Sequence, residues 1–445
     1  MAAKVNDREF VLDILLDITK NGEYSHIAIA GVLDKYQYLD KKDRAFITRV
    51  TEGTLENLLQ INYIINQFSK VPVSKMKPVI RCILQSAVYE LYHMDAVPDS
   101  AACNEAVRLA KKRGFYQLSG FVNGVLRSIS RGKGQITWPD KNKEPELYLS
   151  VRYSIPEWMI QLWKDDFNYD WKKSEDFSKM EQMLHAFGVP APVTIRTATD
   201  RITPQELKKR LETEGVSVVT LADQEIAYAM QISGYDYLGS LESFQEGLFY
   251  VQDLSSMFVA EAAHPKEGDF VLDVCAAPGG KAIHIAQMMH GTGHVLARDL
   301  TEYKAGLLRE NCRRCRTENV DVQVWDAAAL DETLVGKADI VIADLPCSGL
   351  GVLRRKKDIR YKMTPDKMKE LEALQRKILS VVHQYVKPGG RLVYCTCTIH
   401  KGENEENTQW FVHQHKKFTL KTSRQILPQD DTGGDGFYIA VFERC

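Results

Sequence analysis

The sequence predicts a multidomain protein with an all-α N-terminal domain, a small α+β subdomain and a C-terminal α/β domain. Three observations predict this organisation. Apolar residues recur at helical spacing up to about residue 130, without a strand signal of comparable strength. A segment rich in Gly, Pro and charged residues follows at 130–143. From residue 241 onward strands and helices alternate, which is typical of a parallel sheet covered by helices.

The N-terminal domain, residues 1–135, is predicted to be helical because its apolar residues return every three or four positions. Phe10, Ile14 and Ile18 illustrate this spacing in the first pattern. The predicted helices cover residues 8–18, 25–33, 41–69, 76–93 and 100–112. Such a pattern gives each helix one apolar face, and these faces are expected to share a core.

The segment 140–240 is predicted to form the small α+β subdomain. Its helical patterns cover residues 156–166, 174–187 and 204–214. Short runs of β-branched residues predict strands at 193–196 and 216–221.

The C-terminal domain, residues 241–445, is predicted to be α/β. Its predicted strands cover residues 270–275, 294–299, 322–326, 340–345 and 391–397. Its predicted helices cover residues 280–289, 302–315, 365–386 and 403–413. Pro388 and the two glycines after it are expected to end the long third helix. In a sheet of this kind ligands bind beyond the carboxyl ends of the strands.

Composition and cysteine usage favour a cytoplasmic protein without membrane contact. No apolar stretch reaches the length of a membrane span, and the N-terminus lacks the hydrophobic region of a signal peptide. The nine cysteines are therefore expected to be free thiols. Cys312 and Cys315 form a C-x-x-C pair, but the sequence contains no second pair of this kind. The segment that carries them is predicted to be a helix. We predict no metal site.

Two local runs of basic residues stand out, although the net charge of the chain is only −1. The first lies between residues 101 and 135, where Glu105 is the one acid. Its candidate phosphate contacts are Arg108, Lys111, Lys112, Arg113 and Arg127. The second begins at Arg354 and Arg355 and extends to Lys362. Basic patches can neutralise phosphates, but a solvated surface explains either run taken alone.

The segment from Asp273 to Lys281 carries the strongest signal in the chain. A buried strand ends at Asp273, small residues follow, and a helix then begins. Small residues let a ligand approach the backbone, and a helix N-terminus offers unpaired N–H groups. Asp299 and Asp326 end the next two predicted strands. Each of these aspartates taken alone could equally well be a helix N-cap. Three aspartates at the ends of successive strands favour a nucleoside site.

The string from Asp273 to Lys281 resembles motif I of the cytosine-5 RNA methyltransferases named after the Sun protein. Further matches lie at 343–349, 394–398, 403–405 and 435–438. The resemblance implies a Rossmann-like domain that binds S-adenosylmethionine. The residues implied to line the cofactor site are Cys275, Ala276, Ala277, Pro278, Gly279, Gly280, Lys281, Asp299, Asp326 and Asp344.

Methylation of cytosine at C5 requires a nucleophile on C6, because the aromatic ring is too electron-poor for C5 to react directly. A thiolate suits this role, and Cys347 and Cys397 both follow predicted strands at the catalytic edge. Alternatively, either cysteine could have only a structural role as a small buried hydrophobic residue. Cys395, two positions before Cys397, is expected to face the other side of the sheet.

Methylation of an amino group is disfavoured, because the position after Pro346 holds a thiol instead of an aromatic ring.

Spacing alone leaves the order of the two thiols open. Enzymes that methylate DNA attack with the cysteine of a Pro-Cys pair, which would select Cys347. The resemblance to the RNA family instead implies that Cys397 attacks and that Cys347 assists release of the product. It further implies that Asp344 holds or protonates the base and that Lys281 assists near the target.

The N-terminal domain resembles the NusB fold, an RNA-binding helical domain. The resemblance rests on residues 43–44, 53–54, 104–107 and 121–127. Together with the Sun-type domain it implies a bacterial 16S ribosomal RNA methyltransferase that acts on the RNA or an early small-subunit particle. It implies a monomer without an obligate protein partner, with both basic runs on the RNA backbone. The alternatives are a transfer RNA methyltransferase and an inactive RNA-binding assembly factor.

The chain departs from the family pattern at two places. Lys356 and Lys357 stand where the family commonly has a proline in the loop, and Lys401-Gly402 precedes the Glu-Asn-Glu segment where the family commonly begins with proline. Both departures leave the chemistry intact and put only the positioning of the substrate in doubt.

Overall fold

The computed structural model describes residues 6–35, 39–221, 226–430 and 433–445. They form two compact units. The helical unit comprises Met1–Val189 and Leu353–Lys362, and the sheet unit comprises Pro190–Val352 and Met363–Cys445. The boundary at Val189 divides the predicted subdomain 140–240, since its first helices lie in one unit and its strands in the other. The three-domain division stays a prediction.

The helical unit contains ten described helices in its N-terminal part. In chain order they are α1 (Asp7–Thr19), α2 (Ser25–Lys35), α3 (Lys41–Glu56), α4 (Leu58–Phe68), α5 (Pro78–His93), α6 (Asp99–Lys112), α7 (Ser119–Arg131), α8 (Pro145–Tyr153), α9 (Glu157–Asp166) and α10 (Ser174–Gly188). The five helices predicted in the N-terminal domain are confirmed, but the long pattern at 41–69 is two helices that meet at Asn57. Residues at helical spacing, such as Val11, Leu15 and Ile18, are buried in the shared core.

The sheet unit begins with a four-stranded antiparallel sheet. Its strands are β1 (Val193–Thr197), β2 (Ser217–Thr220), β3 (Ala229–Ser233) and β4 (Phe249–Val251), in the order β2-β3-β1-β4. Helix α11 (Pro204–Thr213) starts with a capping box formed by Thr203 and Glu206, and its Leu207 is buried in the same apolar cluster as Ile195. A short helix, α12 (Glu242–Gln245), precedes β4.

A seven-stranded mixed sheet forms the centre of the sheet unit. Its strands are β5 (Phe270–Asp273), β6 (His294–Asp299), β7 (Val320–Val324), β8 (Ala338–Asp344), β9 (Val386–Thr396), β10 (Phe418–Ile426) and β11 (Phe437–Arg444), in the order β10-β11-β9-β8-β5-β6-β7. The remaining helices are α13 (Leu254–Ala263), α14 (Gly280–Met288), α15 (Glu302–Cys315), α16 (Ile359–Lys362), α17 (Pro365–Val382) and α18 (Glu405–Gln414). Within the described residues, no helix has the length and apolar character needed to cross a membrane.

The parallel sheet predicted from the alternation is correct for five strands, from β7 to β9. Strands β10 and β11 were not predicted, and β11 runs antiparallel to both of its neighbours. The predicted end of the helix before Pro388 is wrong in position, because that helix stops at Val382 and Pro388 lies within β9. The carboxyl ends of β5, β8 and β9 lie side by side, so the segments that follow them meet at one edge.

The segment Leu353–Lys362 packs with the helical unit although the chain on either side belongs to the sheet unit. Asp358 is buried and accepts hydrogen bonds from the Ser25 backbone N–H at 3.1 Å and the Ser25 hydroxyl at 2.5 Å. The Tyr361 hydroxyl donates to the Leu55 carbonyl at 2.7 Å. These contacts fix the segment onto helices α2 and α3.

Candidate active site

A cleft of about 250 Å³, open to solvent, lies at the carboxyl edge of the seven-stranded sheet. Its floor is formed by the turn that joins β5 to α14. The predicted cofactor residues that line it are Cys275, Ala276, Ala277, Pro278, Gly280, Lys281 and Asp344. The candidate nucleophile Cys397 lines the same cleft. The sequence prediction therefore brings cofactor and catalytic candidates to one place.

Asp273 ends strand β5 and is fully buried at the bottom of the cleft. One carboxylate oxygen accepts from the Cys275 backbone N–H at 3.4 Å, and the other has no partner among the described residues. Burial, reinforced by the nearby carboxylate of Asp344, raises the pKa of Asp273 to about 7, although Lys281 opposes the shift. This carboxylate is therefore placed to receive a cationic or hydrogen-bond-donating ligand group.

Lys281, in the first turn of α14, donates to the Asp344 carboxylate at 2.6 Å. Burial lowers the pKa of Lys281, but the attraction of Asp344 outweighs it and the net shift is upward. The ammonium therefore stays charged. It also lies 5.3 Å from the centre of the Phe437 ring.

The two candidate catalytic thiols are neighbours. The Sγ atoms of Cys347 and Cys397 lie 3.1 Å apart, and both side chains are half-buried. The hydrogen bond to Cys397, together with burial, raises the pKa of Cys347 well above its ordinary value. Cys347 therefore keeps its proton and can donate it in a hydrogen bond to the sulfur of Cys397.

Cys395 is buried, as expected for a small apolar residue, but its predicted orientation is wrong. Its thiol lies 3.6 Å from the Asp344 carboxylate, on the side of β9 that faces the cofactor edge. The physical reason is the two-residue period of a strand, which places residues two positions apart on the same face. Cys395 is fully buried, and burial raises its pKa well above the ordinary value, so it is an inert thiol next to the site.

Three predicted cofactor residues do not line the cleft. Asp299 is buried, and its carboxylate accepts from the Ala277 backbone N–H at 3.1 Å and from Lys304 at 3.0 Å. It therefore supports the turn below the cleft. Asp326 is exposed and accepts from the Ala328 backbone N–H at 2.9 Å in an Asx turn, although no helix begins there. Gly279 has a φ of +114°, which favours glycine at the start of α14. Their roles toward the cofactor stay predictions.

The sequence reasoning missed one wall of the cleft. The residues that it did not single out as cofactor contacts are Tyr250, Val251, Gln252, Asp253, Ser256, Val352, Asp435 and Phe437. The backbone of Gly351 bonds to Cys397 and Gly436 at 3.1 and 2.9 Å, and a Cβ on Gly351 would lie 1.9 Å from the Gly436 carbonyl. This close approach brings the chain around Val352 and Phe437 to the cleft. No local pattern in the sequence indicates such a contact.

The basic residues of the first run lie on helices α6 and α7 and in the turn after α6. Arg108, Lys111, Lys112 and Arg127 are exposed, but several of them are paired. Arg108 bonds to Glu105 at 2.6 Å, Lys112 to Glu9 at 2.5 Å and Arg113 to Asp13 at 2.6 Å. Lys111 lies over the ring of the exposed Tyr116. RNA contact by this run stays a prediction.

The second basic run is largely occupied by contacts inside the helical unit. Arg354 is buried, so the structure does not support its prediction as an RNA contact. Lys357 pairs with Glu56 at 2.8 Å, and Arg360 is buried with its guanidinium on the Ser154 carbonyl at 3.3 Å. Arg355 is exposed, and its role stays a prediction. The reason for the difference is long-range pairing, which the charge of a segment does not reveal.

The lining of the cleft fits a cationic nucleoside cofactor. It carries four carboxylates against one ammonium, that of Lys281. The carboxylates belong to Asp253, Asp273, Asp344 and Asp435. Such a site disfavours a phosphate-rich dinucleotide, whereas it suits a ligand with a sulfonium and an ammonium group. The small residues of the turn leave room for that ligand, and the partnerless oxygen of Asp273 offers it an acceptor.

Comparison with known proteins supports this reading. Residues 260–443 match the model of the family described as 16S rRNA methyltransferase RsmB/F, and residues 5–131 match the NusB family. The chain is 34% identical to the probable ribosomal RNA small subunit methyltransferase B of Bacillus subtilis, over 99% of each chain. The chain belongs to the RsmB/F methyltransferase family. Its cofactor is S-adenosylmethionine, as predicted.

Other relatives agree with this membership of the RsmB/F family. A probable ribosomal RNA small subunit methyltransferase B from Synechocystis is 30% identical over 99% of this chain and all of its own length. The crystal structure of PH0851 superposes with a TM-score of 0.81 at 25% identity and covers 99% of this chain. A methyltransferase homologue from Pyrococcus horikoshii has a TM-score of 0.57 at 26% identity and covers 68% of this chain and 99% of its own. The predicted fold class, with a NusB-like helical part and a Rossmann-like methyltransferase part, is confirmed.

Proposed function

We propose that this RsmB/F family member methylates C5 of a cytosine in 16S ribosomal RNA through a covalent bond between a cysteine and C6. The observation that carries the proposal is the pair of thiols 3.1 Å apart, one of which lines the cofactor cleft. Two adjacent thiols suit a reaction in which one sulfur must attack and later leave.

The ribosomal substrate rests on the relatives and on the N-terminal part. The relatives from Bacillus and Synechocystis carry the name ribosomal RNA small subunit methyltransferase B, and the NusB match covers residues 5–131. The proposed substrate is therefore 16S RNA or an early small-subunit particle in the cytoplasm. The target cytosine must leave any stack before a thiol can reach C6. We propose that the chain acts as a monomer without an obligate protein partner.

In the proposed reaction the Cys397 thiolate attacks C6, and a carbon–sulfur bond forms while an electron pair moves toward C5. Asp344, held by Lys281, lies at the same edge and is proposed to hold or protonate the base. S-adenosylmethionine, when bound, supplies the methyl group as an electrophile. Asp273, Lys281 and the turn Cys275–Gly280 would hold it. A base then takes the C5 proton, the C5–C6 double bond re-forms, and the carbon–sulfur bond breaks with its electron pair on Cys397.

The structure supports different roles for the two thiols. Because Cys347 keeps its proton, it can donate a hydrogen bond to the Cys397 sulfur while that sulfur carries negative charge. Such a bond stabilises Cys397 as it leaves C6. The position of Cys397 in the lining of the cofactor cleft supports Cys397 as the nucleophile, which leaves Cys347 as the residue that assists release.

The test compares Cys397→Ala with Cys347→Ala, using 16S RNA transcribed in vitro. We expect Cys397→Ala to give neither methylation nor a covalent complex on a denaturing gel, and Cys347→Ala to accumulate that complex. Cys445→Ala, which changes an exposed thiol, is the control. The reverse pattern would exchange the roles. Bisulfite sequencing of small-subunit and transfer RNA with and without the gene would show which RNA is modified.

A further inference from the structure

We propose that Glu403 and Asn404 are positioning residues that set the spacing of the two active-site thiols. Each of them holds the chain on both sides of one cysteine, either directly or through one further side chain. The proposal rests on the proposed function for the chemistry of the thiols, but the spacing itself can be measured without RNA.

Glu403 fixes the segment that carries Cys347. Its carboxylate accepts from the Ser348 backbone N–H at 2.9 Å and from the Gln375 side chain at 2.8 Å. The same Gln375 amide donates to the Pro346 carbonyl at 2.9 Å. The residues before and after Cys347 are therefore held by one buried pair of side chains.

Asn404 fixes the segment that carries Cys397. Its side-chain oxygen accepts from the Thr396 hydroxyl at 2.6 Å, and its side-chain nitrogen donates to the Thr398 carbonyl at 3.1 Å. The Ser348 and Thr398 hydroxyls bond to each other at 2.8 Å, which joins the two cysteine segments. Two consecutive residues of one loop thus hold both thiols in register.

The burial of Glu403 supports a functional reason for this arrangement. Its side chain is fully buried, and it accepts hydrogen bonds from two neutral amides, the Ser348 backbone N–H and the Gln375 side chain. The second carboxylate oxygen has no partner among the described residues. A buried carboxylate of this kind costs folding free energy, so stability alone would favour an uncharged residue. What the carboxylate provides is a strong acceptor for the backbone next to Cys347.

The first test measures thiol spacing directly. Diamide oxidises two adjacent thiols to one disulfide and is itself reduced to the hydrazine, and mass spectrometry of peptides follows the Cys347–Cys397 bond. We expect Glu403→Ala and Asn404→Ala to form it several-fold more slowly than the parent chain. Glu406→Ala, which changes an exposed acid in the first turn of the adjoining helix α18, should match the parent. Glu403→Asp keeps the charge but has a shorter side chain, so it should also form the disulfide more slowly than the parent. It replaces Glu403→Ala in this test if the alanine variant does not fold.

The second test measures the reaction. Misplacement of a catalytic group by about 1 Å can cost 10²-fold in rate, and we expect losses up to that order in single-turnover methylation. Glu403→Ala should accumulate the covalent complex as Cys347→Ala does, and Asn404→Ala should form little of it, as Cys397→Ala does. Binding of S-adenosylmethionine should be unchanged in both.

The outcomes separate the two proposals. Wild-type rates of cross-linking and methylation in Glu403→Ala and Asn404→Ala would overturn the positioning role and leave the proposed function intact. Equal losses in Glu406→Ala would also overturn it. If the two cysteine variants show reversed roles and the Glu403 and Asn404 variants follow them, the assignment of the nucleophile fails while the positioning role stands.

Discussion

The ammonium of Lys281 and the carboxylate of Asp344 lie 2.6 Å apart in the cleft that also holds Cys397. Lys281 belongs to the helix after β5, and Asp344 ends β8, so the pair joins two neighbouring strand ends. Each charge holds the other in place at the point where the base is proposed to lie.

Lys281→Gln should slow methylation, because Asp344 then loses the partner that orients it. A loss of about 10²-fold or more in single-turnover rate is expected for a group that supports acid–base chemistry. Lys266→Gln, which changes an exposed lysine of the same unit, serves as the control. Full activity of Lys281→Gln would show that the pair is structural.

Asp273→Asn should change how stability depends on pH. The pKa of Asp273 is raised from 3.8 to about 7 in the folded protein, mainly by burial. The contribution of Asp273 to the free energy of unfolding is therefore most favourable below pH 3.8 and is lost as pH rises to about 7. The free energy of unfolding falls by roughly 4 kcal/mol over this range on account of Asp273. In urea unfolding, the free energy of unfolding of the asparagine variant should rise relative to that of the parent chain between about pH 5 and about pH 8. Parallel pH profiles would contradict this expectation.

Asp358→Ala should destabilise the helical unit. It removes the buried acceptor of Ser25 and Lys362 and leaves the lysine without its carboxylate. Breaking such a pair costs about 3–5 kcal/mol in thermal or urea unfolding. Glu370→Gln, at an exposed acid, should have little effect.

The effect of Asp358→Ala should also shrink at low pH. Burial raises the pKa of Asp358, but its hydrogen bonds with Lys362 and Ser25 outweigh burial and lower it overall. The contribution of a carboxylate with a lowered pKa is present above its unfolded pKa and is lost as pH falls through the folded one. An effect of the same size at acid pH would argue against the ion pair.

Removing Lys111 and Arg127 together should weaken RNA binding in a salt-dependent way. Both side chains are exposed, and Arg127 bonds to the neutral Asn123. The slope of log affinity against log salt should fall by about 1 for each lost phosphate contact. Arg113→Ala should change it less, since that guanidinium is paired with Asp13. An unchanged slope in the double variant would exclude these helices as the RNA surface.

Local patterns predicted those parts of the fold that local physics determines. Strand β6 and helix α15 have the predicted bounds, because an apolar strand ends at Asp299 and Thr301 then caps the helix. Strand β10 was missed because most of its side chains are exposed, so it carries no apolar alternation. Strand β4 has only three residues and offers too short a pattern.

The candidate site was predictable where it follows strand ends and not where distant segments meet. The turn after Asp273 and both thiols lie at one edge because parallel strands end there. By contrast, Ser25 and Asp358 are 333 positions apart, and nothing near Arg354 in the sequence indicates that its run is folded against α2. The basic character of a segment gives its charge but not its partners.

The assignment of Leu353–Lys362 to the helical unit has a consequence for attempts to divide the protein. A fragment that stops at Val189 would lose two kinds of hydrogen bond. These are the bond from the Tyr361 hydroxyl to the Leu55 carbonyl and the bonds from Ser25 to the Asp358 carboxylate. A fragment that starts at Pro190 would carry the same ten residues without their partners. Either cut divides the helical unit, so truncation would be a poor way to separate RNA binding from methyl transfer.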